Sequence, residues 1–421
     1  MNWLLIVPVI LGGSATPEMA KADFWPASDE IVMTAGQIEA YNASLVAEGD
    51  LDLVDICSAA DSVDGSVVRN SIGQYRIPRS YRYFDKSKVT ASAKKRILAN
   101  RNLDAVAGTA ALRYGIITTP ADLRSFPTAT TCTDDGVMAG SLCFDDFQQT
   151  HLWLGEGVLI WHESADGRWF YVRGRNYAGW VEASNIGLCT REEMIHYVKN
   201  PLFAVTLEQK LVTVAGREMR LMMGTRLAKN ADGAVLAPVR RADGTLMLVP
   251  SEIDIEMSDG YLPYTTANAL KLAFKLLGTP YSWGGAEGYN DCSATLLSVY
   301  YCFGVELPRN SSSMKNMDRF NHRPSEAPVD YSSLLPGSIA IVPGHAMMYI
   351  GCIDGEPYIL HDVNALYSRD LVKDQRSITL VSSCSDIYRK TGLSYTEAFT
   401  NLIEVRYEND NLSRTSGAGD H

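Results

Sequence analysis

Three residues in the last third of the chain could together break an amide bond: Cys292, His345 and His361. A thiol attacks a carbonyl carbon once its proton is removed, and imidazole is the side chain best suited to take and return that proton. Cys292 stands at the start of a stretch with helical spacing that runs to Phe303 and is stopped by Gly304. Unpaired N–H groups and the positive end of the helix dipole would then face its sulfur, and both favour thiolate over thiol. The same N–H groups could hold a developing oxyanion. The loop before it, Tyr281 to Asn290, contains Gly284, Gly285 and Gly288, which permit close approach of a substrate backbone. His345 opens the apolar run Ala346 to Gly351, and His361 ends the next strand after an Asp354-Gly355 turn. Antiparallel strands joined this way set the start of one beside the end of the other. His361 could then hydrogen-bond His345 and set its tautomer. Spacing alone favours structural histidines, and a cysteine's usual role is a small buried apolar group. Cys302 and Cys352, inside apolar stretches, fit that role.

Residues 262–407 must position these groups. Thr265 or Thr266 caps a helix with Leu270, Phe274 and Leu277 on one face, and Gly278 and Pro280 end it. The Cys292 helix follows, then strands at 338–342, 345–353 and 357–361. Helices followed by antiparallel strands make an α+β domain. Upstream, residues 113–200 hold short β runs at 158–161, 169–172 and 177–181 between turn clusters, the pattern of a small barrel. Residues 201–258 repeat the pattern, with hairpin turns at Asp232-Gly233 and Asp243-Gly244. Residues 27–112 are mainly helical and irregular: Ser28-Asp29-Glu30 opens one segment, and Thr90 caps a helix over 90–98. They are expected to form an accessory or clamp domain.

The apolar run Trp3 to Leu11, then the small-x-small pattern Ala20-Lys21-Ala22, predict a signal peptide over 1–22 and a periplasmic or secreted protein. Residues 408–421 are polar and predict a disordered tail. A net charge of −11 opposes nucleic-acid binding, and no later stretch is apolar enough to span a membrane. Eight cysteines occur without a CxxC pair, which disfavours a structural metal; Cys132 and Cys143 are spaced for a local bridge. No cofactor or metal is expected, and the chain is expected to act as a monomer.

The run Gly278-Thr279-Pro280-Tyr281-Ser282-Trp283-Gly284-Gly285, then Asp291-Cys292-Ser293, resembles the nucleophile motif of the NlpC/p60 cell-wall cysteine peptidases, which have a papain-like fold. Leu335-Pro336-Gly337-Ser338, Gly344-His345 and Tyr349-Ile350-Gly351 resemble that family's histidine strand, and His361 stands where it places a third polar residue. The upstream regions resemble the branch in which a helical domain and two bacterial SH3-like modules precede the catalytic domain. The resemblance implies Cys292, His345 and His361 as catalytic residues and hydrolysis of the γ-D-glutamyl–diamino acid bond in peptidoglycan stem peptides. It further implies that Tyr281, Asp291, Ser293 and Arg309 contact substrate. Tyr177, with Asp145 or Asp146 meeting an ammonium group, would select a free N-terminal L-Ala. Asn310 stands where the branch commonly has Asp, and Ser338 where Asp is usual.

Three other readings compete. A degenerate catalytic domain would leave a wall-peptide-binding protein. An amidase or acyltransferase could use the same thiol, imidazole and oxyanion site. A zinc hydrolase using His345 and His361 would lack any HExxH pattern.

Overall fold

The computed structural model describes residues 11, 15–134, 138–139, 142–317, 320–364, 366–367, 373–374, 377–388 and 390–407. The predicted tail lies outside these residues, as does most of the apolar run of the predicted signal.

The chain is multidomain. After a short strand β1 (Ile31–Met33), the N-terminal region holds helices α1 (Ala35–Glu48), α2 (Gly65–Gly73) and α3 (Ala91–Asn100). Thr34, not Ser28, opens α1, through a capping box with Gln37, and Thr90 caps α3 as its side-chain oxygen predicts. The described part of the 1–22 segment packs into the fold rather than standing clear of it. Met19 and Ala20 are buried, and the Trp25 indole donates to the Met19 carbonyl at 3.0 Å.

Seven strands follow: β2 (Arg113–Ile117), β3 (Ala121–Arg124), β4 (Gln148–Leu152), β5 (Gly157–Glu163), β6 (Trp169–Arg173), β7 (Ala178–Glu182) and β8 (Ile186–Cys189). They form one antiparallel sheet in the order β4-β3-β7-β6-β5-β2-β8, so β4 is an edge strand. An unanticipated helix, α4 (Arg191–Val198), separates this sheet from the next β unit. Its signal was present in the sequence: Thr190 and Glu193 form a capping box. The second unit is a three-stranded sheet of β9 (Phe203–Thr206), β12 (Arg226–Ala228) and β15 (Met257–Asp259), with hairpins β10–β11 (Lys210–Val214, Arg217–Leu221) and β13–β14 (Val235–Arg240, Leu246–Ser251). Cys132 is a free, buried thiol. The Cys143 side chain, and with it the expected bridge, lies outside the described residues.

The C-terminal part begins with β16 (Tyr264–Thr265), which pairs with β1 and so ties the two ends of the molecule together. Helix α5 (Thr266–Lys275) is capped by Thr265, and α6 (Cys292–Tyr301) starts at the candidate nucleophile. A six-stranded antiparallel sheet completes it: β17 (Asn321–His322), β18 (Ile339–Val342), β19 (His345–Ile353), β20 (Glu356–Val363), β21 (Ile378–Ser383) and β22 (Asn401–Ile403), ordered β17-β22-β18-β19-β20-β21. Strands β21 and β22 have no counterpart among the expected elements, and β20 extends two residues beyond His361. Ala346, Met348 and Ile350 of β19 join Leu296, Leu297 and Val299 of α6 in one cluster. Met347 and Tyr349 join Tyr395 and Phe399 in another. The sheet is therefore covered on both faces, which is why its central strands read as continuous apolar runs rather than alternating ones.

Candidate active site

Asp291 sets where α6 begins. Its Oδ1 accepts from the Ala294 N–H at 2.9 Å, and its Oδ2 accepts from the Gly284 N–H at 3.1 Å. One carboxylate thus caps the helix and holds the preceding loop against it. Arg309 completes the arrangement from both sides: Nη2 to Oδ2 at 2.7 Å and Nη1 to Oδ1 at 3.1 Å. Arg309 also donates to Ser293 Oγ at 2.7 Å and, through Nε, to Thr150 Oγ1 at 2.6 Å. Thr150 lies on β4, so the guanidinium fastens the first β sheet to the start of the nucleophile helix. Arg309, Asp291 and Ser293 are buried. Burial pushes the Asp291 carboxyl up, but the Arg309 guanidinium and the capping N–H outweigh it and hold the group below the usual carboxylate range. The three residues expected to contact substrate thus bond chiefly to one another.

The loop between Tyr281 and Asp291 is moulded by β4. Gln148 Nε2 donates to the Gly284 carbonyl at 3.1 Å and to Asp122 Oδ1 at 3.0 Å. Gly284 has φ +64°, and a Cβ there would stand 2.6 Å from Gln148 Cγ, so only glycine fits. Gln148 and Thr150 were not singled out from sequence. The signal that could have found them is weak, because edge strands are not legible without the pairing.

Cys292 is half-buried, and its sulfur is hydrogen-bonded by the backbone of Ala346, the residue after His345. This brings the thiol to the mouth of β19. The sequence expectation was a standing thiolate; the enclosure of the site acts against it. Burial, reinforced by the Asp291 charge, pushes the Cys292 thiol up to about 12. Burial likewise brings His345 down to about 4, against a smaller upward pull from Asp291. Desolvation of two potential ions exceeds what the helix end supplies, so the resting pair is an uncharged thiol and an uncharged imidazole.

The strand ladder places the histidines. Met348 pairs with Leu360, so His345 and His361 fall on the same face, displaced diagonally. His345 Nε2 and His361 Nδ1 stand 3.0 Å apart. His361 Nε2 meets Ser382 Oγ of β21, also at 3.0 Å, and both residues are buried. Ser382 was not foreseen. Tyr388 stacks over His345 at 6.4 Å and Tyr395 abuts His361 edge-on at 5.3 Å, so the pair is roofed by aromatic rings.

Tyr281 is buried beside Cys292. Burial, with the nearby Cys292 and Asp291, drives its hydroxyl well above the ordinary range and keeps it a neutral donor. Phe144 lies 6.0 Å from the Tyr281 ring and 5.2 Å from the half-exposed Trp283, forming an aromatic ledge beside the nucleophile loop. Tyr177 donates to Gln149 Oε1 at 2.8 Å and lies close enough to Arg309 to be coupled to its charge. Asp145 does not fit the ammonium role expected of it. Its carboxylate pairs with Arg124 at 2.7 Å and accepts from the Cys132 and Phe147 N–H groups, all within its own domain. Asp146 is half-buried, its N–H bonded to the Cys132 carbonyl. Among the described residues no cluster of His, Cys, Asp and Glu is arranged to hold a metal ion.

The NlpC/P60 family matches residues 278–376, and an SH3 domain of the SH3b1 type matches residues 138–182. A gamma-D-glutamyl-L-lysine dipeptidyl-peptidase of Bacillus subtilis (strain 168) is 24% identical over 181 residues, 40% of this chain and 58% of that protein. The chain therefore spans little more than half the length of this curated relative. A solved NlpC/P60 endopeptidase from Photobacterium damselae subsp. piscicida has a TM-score of 0.70 at 16% identity, covering 90% of this chain and 93% of that one. It shares the fold. An NlpC/P60 family protein from Bacillus cereus ATCC 10987 gives a TM-score of 0.48 at 16% identity over 69% of this chain and 99% of its own.

Proposed function

We propose, from the matches to the NlpC/P60 family and to an SH3-type domain, that this is a cysteine peptidase that hydrolyses the γ-D-glutamyl–diamino acid bond of peptidoglycan stem peptides bearing a free N-terminal L-Ala. The observation that carries this reading is the Cys292 sulfur bonded to the backbone of Ala346, the residue beside His345, together with His345 Nε2 standing 3.0 Å from His361 Nδ1.

The chemistry runs as an acyl transfer. The Cys292 sulfur attacks the γ-carbonyl carbon while its proton passes to His345. The charge that develops on the carbonyl oxygen is met by the start of α6 and the neutral Tyr281 hydroxyl. His345, now imidazolium, returns the proton to the leaving amine of the diamino acid. A water, deprotonated by His345, then releases the γ-glutamyl acyl group and restores the thiol. The pair is uncharged at rest, so the ions exist only while a substrate charge is there to offset them.

The demand for a free N-terminus rests on β4. This edge strand is fastened to the nucleophile loop at Gly284 and to Arg309, so the first β domain stands as a wall on that side of the cleft. Tyr177, on the same wall and electrostatically coupled to Arg309, is the proposed contact for the L-Ala end. On this reading residues 27–112 form a clamp, 113–200 and 201–258 are two SH3-like modules, and 262–407 form the peptidase. The chain acts as a monomer on muropeptides in the cell envelope. No helix of the described residues is long and apolar enough to cross a membrane.

The test is mass analysis of purified stem peptides. L-Ala-γ-D-Glu released from a peptide with a free amino terminus, and lost with Cys292→Ala, is the expected result. Equal cleavage of glycan-linked peptide would overturn the terminal requirement, and release of any other fragment would overturn the bond assignment.

A further inference from the structure

A base that serves a thiol must turn a lone pair toward it. His345 has two ring nitrogens, and Nε2 is occupied by His361 Nδ1 at 3.0 Å. Two uncharged imidazoles can share one hydrogen bond in two ways. If His345 donates from Nε2, its Nδ1 is a lone pair and can accept the thiol proton. If His361 donates from Nδ1, His345 carries its proton on the wrong nitrogen and cannot act as the base. The choice is passed to His361 Nε2. In the productive arrangement that nitrogen bears a proton and needs an acceptor; in the other it bears a lone pair.

The atom facing His361 Nε2 is Ser382 Oγ, at 3.0 Å. Both side chains are buried, so no solvent can stand in for it. Its place follows from the register: His361 lies opposite Leu380 on β21, and Ser382, two residues on, shares that face. A hydroxyl is one of the few groups that can accept in one state and donate in another by rotating. The demand becomes absolute once His345 is protonated. An imidazolium has protons on both nitrogens, so Nε2 must donate to His361, and His361 must then donate to Ser382.

We infer that Ser382 is a positioning residue of the catalytic line, the terminal acceptor that keeps His361 protonated on Nε2 and thereby holds His345 in the tautomer that can deprotonate Cys292. It acts through His361 and touches neither substrate nor thiol. The inference rests on Cys292 being the nucleophile but not on which peptide is cleaved.

Ser382→Ala leaves a buried N–H without an acceptor. Turnover should fall about 10- to 100-fold, by the cost of an unsatisfied buried donor. KM should change little, and the acid limb of the pH–rate profile should move to lower pH because His345 becomes a weaker base. Ser382→Thr, which keeps the hydroxyl, should recover part of the rate. A purely structural serine would lower stability and leave the profile in place. Alkylation of Cys292 by iodoacetamide gives the same comparison without substrate. Slowing of alkylation in Ser382→Ala upholds the inference even if the γ-glutamyl peptide is not cleaved, in which case it is the proposed substrate that fails. Nitrogen-15 NMR of the native protein supplies a readout that needs no variant. It should find His361 protonated on Nε2 and His345 bearing a lone pair on Nδ1. The opposite tautomers, or an unmoved profile with the rate within about twofold, would overturn the assignment.

Discussion

Arg309 grips Asp291 through both carboxylate oxygens, at 2.7 and 3.1 Å, one residue before the nucleophile. The pair is enclosed, and neither charge has water to fall back on. Removing one partner should therefore cost far more than a surface ion pair would. Arg309→Met is expected to lose about 3–5 kcal/mol of stability, read by urea unfolding at neutral pH. The sign with pH follows from Asp291. Its folded value lies below the unfolded 3.8, so its contribution is present above 3.8 and is lost as pH falls through the folded value. With the guanidinium gone, only the capping N–H groups and Ser293 oppose burial, so the acid-dependent part of the stability weakens. The gap between native protein and variant should narrow in acid, and a gap that is constant with pH would count against the pair.

The uncharged state of Cys292 and His345 is visible in the ultraviolet. With the thiol near 12 and the imidazole near 4, a difference spectrum against Cys292→Ala at neutral pH should lack a thiolate band. Alkylation should keep rising with pH through the neutral range, since the thiolate fraction rises there. A full thiolate band at neutral pH would mean that the helix end outweighs desolvation after all.

Asp362 follows His361 in sequence but faces the other way, toward Thr295 of α6 at 3.5 Å. It is fully buried with Oδ1 unpartnered, and burial, then Asp291, raise its carboxyl well above 3.8. The folded state therefore holds a proton that the unfolded chain releases above 3.8. Stability should fall by about 1.4 kcal/mol per pH unit from there up to the folded value. Asp362→Asn keeps the shape and removes the titration. It should be more stable than the native protein at neutral pH and no more stable near 3.8, as read from thermal unfolding across pH.

Residues 15–25 bear on where a mature chain could start. Met19 and Ala20 lie in the same buried cluster as α5 and α6. A chain beginning at Asp23 should be less stable than one beginning at Ala15 by about 2 kcal/mol, the cost of exposing what a methionine-sized side chain covers. Equal unfolding midpoints would show that the segment adds nothing.

Local rules made much of this protein legible in one dimension. Helical spacing from Cys292 to Phe303, stopped by Gly304, announced the nucleophile helix, because a helix end needs only a local residue free to turn the chain. Pro343-Gly344 before an apolar run announced the strand of His345, and Asp354-Gly355 the turn that returns His361 to it. These signals act over a few residues, so chain order carries them. Ser382 carries no such mark. It matters because β21 pairs with β20 in a register that sets Leu380 across from His361. Gln148 meets Gly284 across 136 residues, and Arg309 ties β4 to α6. Ionisation is the deepest case. The sequence placed a cysteine at a helix start and so argued for thiolate. How much water is left around the sulfur depends on every element packed over it, and that enclosure pushes the thiol up, against the pull of the helix end.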